Sequence, residues 1–271
     1  MDNAIFDFIL YFFNLVILTL GVFAGCGLSV RLCSLAFARL SGSGSGTVFD
    51  VTSIIGTPIH ELGHAAMCPL FGHRITSMKL WSPRAENGVY GFVEHSYNKR
   101  NPWARMGNLF IGIGPLFSGL GFVILMLWIC FPMQWNDYLV ASRALISSEQ
   151  ASAGELFSAI FSLLIGIFKA FASNWIRSLL GMIVILAVSL HVSLSWADVK
   201  DSLGALPVYL IMLAIFAIPT AIAGLSESIV LTLRLFNLRL LSIFCIIIAF
   251  AALWVLIALL VRLVIALIRA F

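Results

Sequence analysis

The chain has 271 residues, of which 61% are hydrophobic and 10% charged, with a mean hydropathy of +1.07. Soluble globular domains carry about 25% charged residues, so the polar surface here is too small to coat a water-soluble particle, and the bilayer is the solvent. A net charge of +4 does not mark a nucleic-acid binder, because the basic residues sit mostly in loops and at helix ends, where headgroups and the positive-inside rule account for them.

A hydrocarbon core about 30 Å thick takes roughly 20 helical residues to cross. In chain order, spans are expected at about 5–30, 49–72, 103–131, 177–198, 205–224 and 240–268. The first follows acidic Asp2 and Asp7, lacks a basic leader, and reads as a retained span. The SGSGSG run at 41–46 reads as a flexible linker. The fifth span is bounded by Gly204 and Gly224 and interrupted by Pro207 and Pro219. Residues 155–172 suit either a crossing or a helix lying at the interface, given Lys169 and several serines.

The loop at 73–105 holds Arg74, Lys79, Arg84, Lys99, Arg100 and Arg105 against Glu86 and Glu94, which marks it as cytoplasmic and places the amino terminus inside. The loop at 132–156, with Asp137, Glu149 and Glu155 against Arg143, suits the opposite side. Cys26, Cys33, Cys68, Cys130 and Cys245 are scattered and read as packing residues. The expected fold is an all-α polytopic membrane protein of about six transmembrane helices in a single integral membrane domain, 1–271. Its compact build suits a bacterial cytoplasmic membrane.

The segment 56–69, GTPIHELGHAAMCP, contains HExxH as His60, Glu61 and His64. Residues four apart share a helix face, so both imidazoles reach one ion while Glu61 stays beside it without binding. Glu61 could then take a proton from water and return it to a leaving amine. Zinc suits nitrogen and oxygen ligands in a tetrahedron with one position left for water. Ionisable groups within an apolar run are costly and mark a functional site. Thr57-Pro58 resembles a cap and first-turn proline, or a kink, which would break the motif helix just before His60; Pro69 ends it. For Gly56, Gly63, Ala65 and Ala66, ordinary close packing between helices is the better account.

A third ligand must come from elsewhere, and SLHVSLSWADVKD at 189–201 offers His191 and Asp198. If the second and fourth spans run antiparallel, distance from their ends at 1.5 Å per residue matches Asp198 better to His64. His191 stays open as an alternative ligand, as a donor behind the ligands, or as a packing histidine. The alternative for Asp198 is a cap at the span end, paired with Lys200.

HELGH within a membrane span resembles the site-2 protease family of intramembrane zinc metalloproteases. Gly114-Pro115-Leu116-Phe117-Ser118 is similar to that family's Gly-Pro-x-x-Asn pattern, with serine for asparagine, whereas SLSWADVKD lacks the proline and glycine that flank the family's aspartate. The resemblance implies a three-span metalloprotease core over 50–202, followed by two additional spans over 203–271. It also implies a re-entrant β segment, expected from Lys79–Trp81 and Gly88–Ser96. It implies Zn2+ held by His60, His64 and Asp198, Glu61 as general base and then acid, and a transmembrane or membrane-proximal protein substrate. An edge strand from Gly88–Ser96 would receive that substrate by strand addition, with Ser118 or a nearby backbone group helping to orient it; the same segment also suits an ordinary interfacial loop with aromatic anchors. His73 and His95, flanking the loop, are expected as surface groups. The competing reading is a non-catalytic membrane subunit, in a transporter or sensor complex, whose zinc or polar cluster is structural and closed by four ligands.

Overall fold

A computed structural model describes residues 2–42, 44–83, 89–147 and 153–270; Arg84, Glu86, Gly88 and Glu149 therefore lie outside the described residues. The first apolar run forms α1 (Asp2–Val16), a π-helical turn at Ile17–Gly21, and α2 (Val22–Ser41). Together they make one helix well beyond the expected 5–30, since nothing between Val30 and Ser41 breaks it. Gly42, with φ of 55°, closes it. The SGSGSG run is not a free linker: α3 (Gly44–Leu70) already starts at its fourth residue. A Ser45 hydroxyl donating to the Gly42 carbonyl at 2.6 Å anchors that turn.

α3 runs through Pro58 as one helix, so Thr57-Pro58 does not cap and start the motif helix. Its end follows the glycine rule. Gly72 takes a φ of +72°, and the backbone N–H of His73 returns to the Cys68 carbonyl at 2.9 Å. β1 (Arg74–Lys79) and β2 (Phe92–Ser96) pair antiparallel, with Lys79 opposite Phe92. The first strand therefore begins five residues before the expected Lys79–Trp81.

The third apolar segment divides into α4 (Pro102–Gly112) and α5 (Gly114–Cys130), bent by 51° at Ile113. Most of the expected 132–156 loop is helix α6 (Pro132–Ser147), with proline at its start, where a missing N–H costs nothing. α7 (Ala153–Lys169) and α8 (Trp175–His191) follow. α9 (Trp196–Ile222) contains Gly204 and Pro207, so Gly204 does not begin a span. α10 (Ser226–Ala270) has 45 residues, about 67 Å at 1.5 Å per residue.

Among the described residues, three helices are long and apolar enough to cross a membrane: Ala4–Ser41, Trp196–Ile222 and Ser226–Arg269, with a fourth if the bent pair Pro102–Cys130 counts as one. The apolar side chains from Leu256 to Ile268 on α10 are mostly exposed, as a lipid-facing helix requires. The main core joins α2, α5, α8 and α10 through Val30, Leu116, Val123, Leu127, Ile185 and Phe244, all fully buried. A second core holds α1 against α4 and α9 through Leu15, Leu109, Tyr209 and Ala217. Between these two cores stands α3, its motif face turned toward α4, α8 and α9.

Candidate metal centre

His60, Glu61 and His64 share one stretch of α3, and the i, i+4 spacing sets the two imidazoles on the same face. Their Nε2 atoms are 3.2 Å apart. The Asp198 carboxylate enters from α9, with Oδ1 at 3.3 Å from His64 Nε2 and Oδ2 at 3.7 Å from His60 Nε2. These three residues form the only cluster of potential metal ligands among the described residues.

Each ligand is aimed by a backbone group at a helix end. His60 Nδ1–H donates to the His191 carbonyl at 2.7 Å, and His64 Nδ1–H donates to the Ile111 carbonyl at 2.7 Å. Those carbonyls belong to the last turns of α8 and α4, where intrahelical donors run out. Asp198 is the third residue of α9 in a capping box: Ser195 N–H donates to its Oδ2 at 2.7 Å, and its own N–H donates to Ser195 Oγ at 3.1 Å. A single carboxylate thus both caps the helix and faces the imidazoles.

The donor set fits a cation. A carbonyl can only accept, so both Nδ1 atoms carry a proton, and in its neutral form each ring turns a bare Nε2 into the cluster. Two lone pairs and a carboxylate facing one another at these distances repel unless a positive centre, a proton or a metal ion, lies between them. Ligands about 2.05 Å from a tetrahedral zinc lie about 3.3 Å apart; the two Nε2 atoms are 3.2 Å apart, and each faces a different Asp198 oxygen, at 3.3 Å for His64 and 3.7 Å for His60.

His191 does not join the cluster through its ring. Its Nε2 is 3.0 Å from Thr52 Oγ1, and its ring stands edge-on to Phe49. The ring also lies against Gly56, where a Cβ would come within 2.5 Å of it, so this glycine admits the end of α8 to α3. What His191 gives the site is its carbonyl oxygen.

Gly63 and Gly114 bring α3 and α5 into backbone contact: a Cβ on either would stand 2.5 Å from the carbonyl oxygen of the other. Ser118 Oγ donates to the Pro115 carbonyl at 3.1 Å and lies in this helix contact, away from the residues lining the cavity, so it is not placed to orient a substrate there.

The cluster opens into a cavity of about 650 Å³, lined among others by Glu61, Tyr90–Val93, His95, Asn108, Asp201 and Arg31. Glu61 is buried, and the chain beside β2 passes close to it: a Cβ on Gly91 would stand 2.9 Å from Glu61 Cγ. Tyr90 Oη donates to Asp50 Oδ1 at 2.5 Å and Trp81 Nε1 donates to Ser53 Oγ at 2.9 Å, tying the sheet to α3. Partial burial and then the Asp50 carboxylate push the Tyr90 hydroxyl up to about 12. Arg31 donates to the Leu194 carbonyl at 2.5 Å from the opposite wall.

The expectation of surface histidines is corrected for His73, which is 5% exposed. The turn at Gly72 tucks it under α4, where its Nε2–H donates to the Ala104 carbonyl at 2.7 Å and its bare Nδ1 accepts from His95 Nδ1–H at 2.9 Å. His95 is half-buried and lines the cavity. Gly91, Ser195, the Ile111 carbonyl and Arg31 escaped the sequence reading of the site. Only Ser195 carries a local signal, the Ser-x-x-Asp spacing of a helix start.

No family model matches the chain, and neither the curated proteins nor the solved structures yield a match.

Proposed function

We propose that this chain is an intramembrane zinc metalloprotease of the site-2 protease kind, cutting peptide bonds of membrane-embedded or membrane-proximal segments. The observation that carries the reading is the meeting of the HExxH imidazole pair with Asp198 from a distant helix, beside buried Glu61, in a cavity bordered by β2. Zinc would be held by His60 Nε2, His64 Nε2 and an Asp198 oxygen, and when bound supplies a Lewis acid that acidifies water and polarises a carbonyl.

The chain's own groups do the rest. A Glu61 carboxylate oxygen takes the proton of the attacking water and passes it to the leaving amide nitrogen. Two Nδ1–H donations to backbone carbonyls keep both imidazoles oriented throughout. A substrate helix must unwind before its backbone can be reached, and the chain at 89–93 offers strand pairing to the unwound peptide close to Glu61. In this reading α3 and α8 also pass through the bilayer, the two-stranded sheet is re-entrant, and the span count rises to six. Three ligand groups, with the His191 ring turned to Thr52, support a site with a position left for water.

The test compares wild type with Glu61→Gln for zinc content and for cleavage of a model transmembrane substrate in detergent or liposomes. Zinc retained by both, with cleavage lost only in Glu61→Gln, is the expected outcome. Equal cleavage by both removes Glu61 as the base. Zinc in both proteins with cleavage in neither points to the non-catalytic subunit instead.

A further inference from the structure

The break between α4 and α5 does more than bend a helix. In an uninterrupted helix the Ile111 carbonyl would accept from the N–H of residue 115, four positions on. That residue is Pro115, which has no N–H. The neighbouring groups are committed: Ile113 N–H is shared between the Leu109 carbonyl, at 3.2 Å, and the Ile111 carbonyl two residues before it, and Leu116 N–H donates to the Ile113 carbonyl at 3.0 Å. The Ile111 carbonyl instead lies 2.7 Å from His64 Nδ1. The backbone contact of Gly63 with Gly114 brings His64, the next residue, to that oxygen.

We infer that Pro115 is a positioning residue for the metal site: by lacking an N–H it leaves the helical acceptor direction of the Ile111 carbonyl open to His64, which fixes that imidazole as the Nδ1–H tautomer with Nε2 turned to the ion. The inference rests on reading His60, His64 and Asp198 as a metal centre. An amide at position 115 would compete for the carbonyl, and His64 would lose the partner that selects its tautomer. Proline has a second effect here, the shape of its ring, and the two are separable by chemistry. A backbone ester at position 115, made by incorporating lactic acid, lacks both the N–H and the ring.

The full-length protein is titrated with Co2+, whose visible absorption reports tetrahedral coordination. Pro115→Ala, which restores the N–H, is expected to weaken Co2+ binding about 10–100-fold, the usual effect of losing an outer hydrogen bond to a ligand. The ester at the same position is expected to return most of that affinity. Unchanged affinity in Pro115→Ala overturns the inference, as does an ester variant no tighter than the alanine variant. Nitrogen NMR of metal-free wild type gives a readout that needs no variant to fold: His64 is expected as the Nδ1–H tautomer, and the Nε2–H form overturns the inference. A wild type that binds no Co2+ would sink the metal reading, whereas the tautomer tests the hydrogen bond from His64 to the Ile111 carbonyl separately.

Discussion

Gly63→Ala puts the contact between α3 and α5 under direct strain. The added Cβ would stand 2.5 Å from both the Gly114 carbonyl oxygen and Ser118 Oγ, where ordinary contact begins at 3.4 Å. Ser118 can turn its hydroxyl away, but the carbonyl belongs to backbone at a helix break and has nowhere to rotate. The two helices must therefore part locally by about 0.9 Å, and overpacking of this kind costs about 1–3 kcal/mol. The same movement carries His64 away from the Ile111 carbonyl. A hydrogen bond of 2.7 Å would open to about 3.6 Å, past the useful limit near 3.2 Å. Co2+ affinity should fall about 10–100-fold together with the thermal midpoint in detergent. The control is Gly121→Ala on α5, where a Cβ meets nothing within 4 Å; it should stabilise by about 0.5–1 kcal/mol. A Gly63→Ala protein with wild-type metal affinity and midpoint would refute the claim that this glycine pair holds the site.

Because His191 serves the site through its carbonyl, His191→Gln should leave metal affinity within a few-fold of wild type, while Asp198→Ala should abolish binding; loss of metal in His191→Gln would make its ring a ligand after all. Ser195→Ala removes the hydroxyl that caps α9 but keeps the N–H that holds Asp198 Oδ2. Its unfolding free energy should drop by about 1 kcal/mol, with Co2+ affinity little changed. A large affinity loss instead would assign the orienting role to the hydroxyl. Burial first, then His73 and His64, hold the His95 imidazole below its ordinary 6.5, with Asp201 pulling the other way. A group depressed in the fold is neutral where the unfolded chain already binds a proton, so its contribution is present above 6.5 and is lost as pH falls through the folded value. Amide exchange in β1 and β2, corrected for intrinsic rates, should therefore quicken as pH drops below 6.5, and a flat profile would contradict the coupling.

The sequence by itself determined the solvent and the heart of the site. Sixty-one per cent hydrophobic residues leave no water-soluble solution, and HExxH on any helix sets two imidazoles on one face because helix geometry is fixed locally. Asp198 is visible too, but distance from the end of a fourth span is the wrong reason to favour it. α8 stops at His191 and Asp198 opens α9, a start written in Ser195-x-x-Asp198. Only the tertiary structure decided how the ligands are held. The Ile111 and His191 carbonyls and the Ser195 amide are backbone groups, which every residue carries and no pattern of side chains announces. They become available where helices end or break, and they meet His60, His64 and Asp198 only because glycines at 56, 63 and 114 let those ends pack against α3.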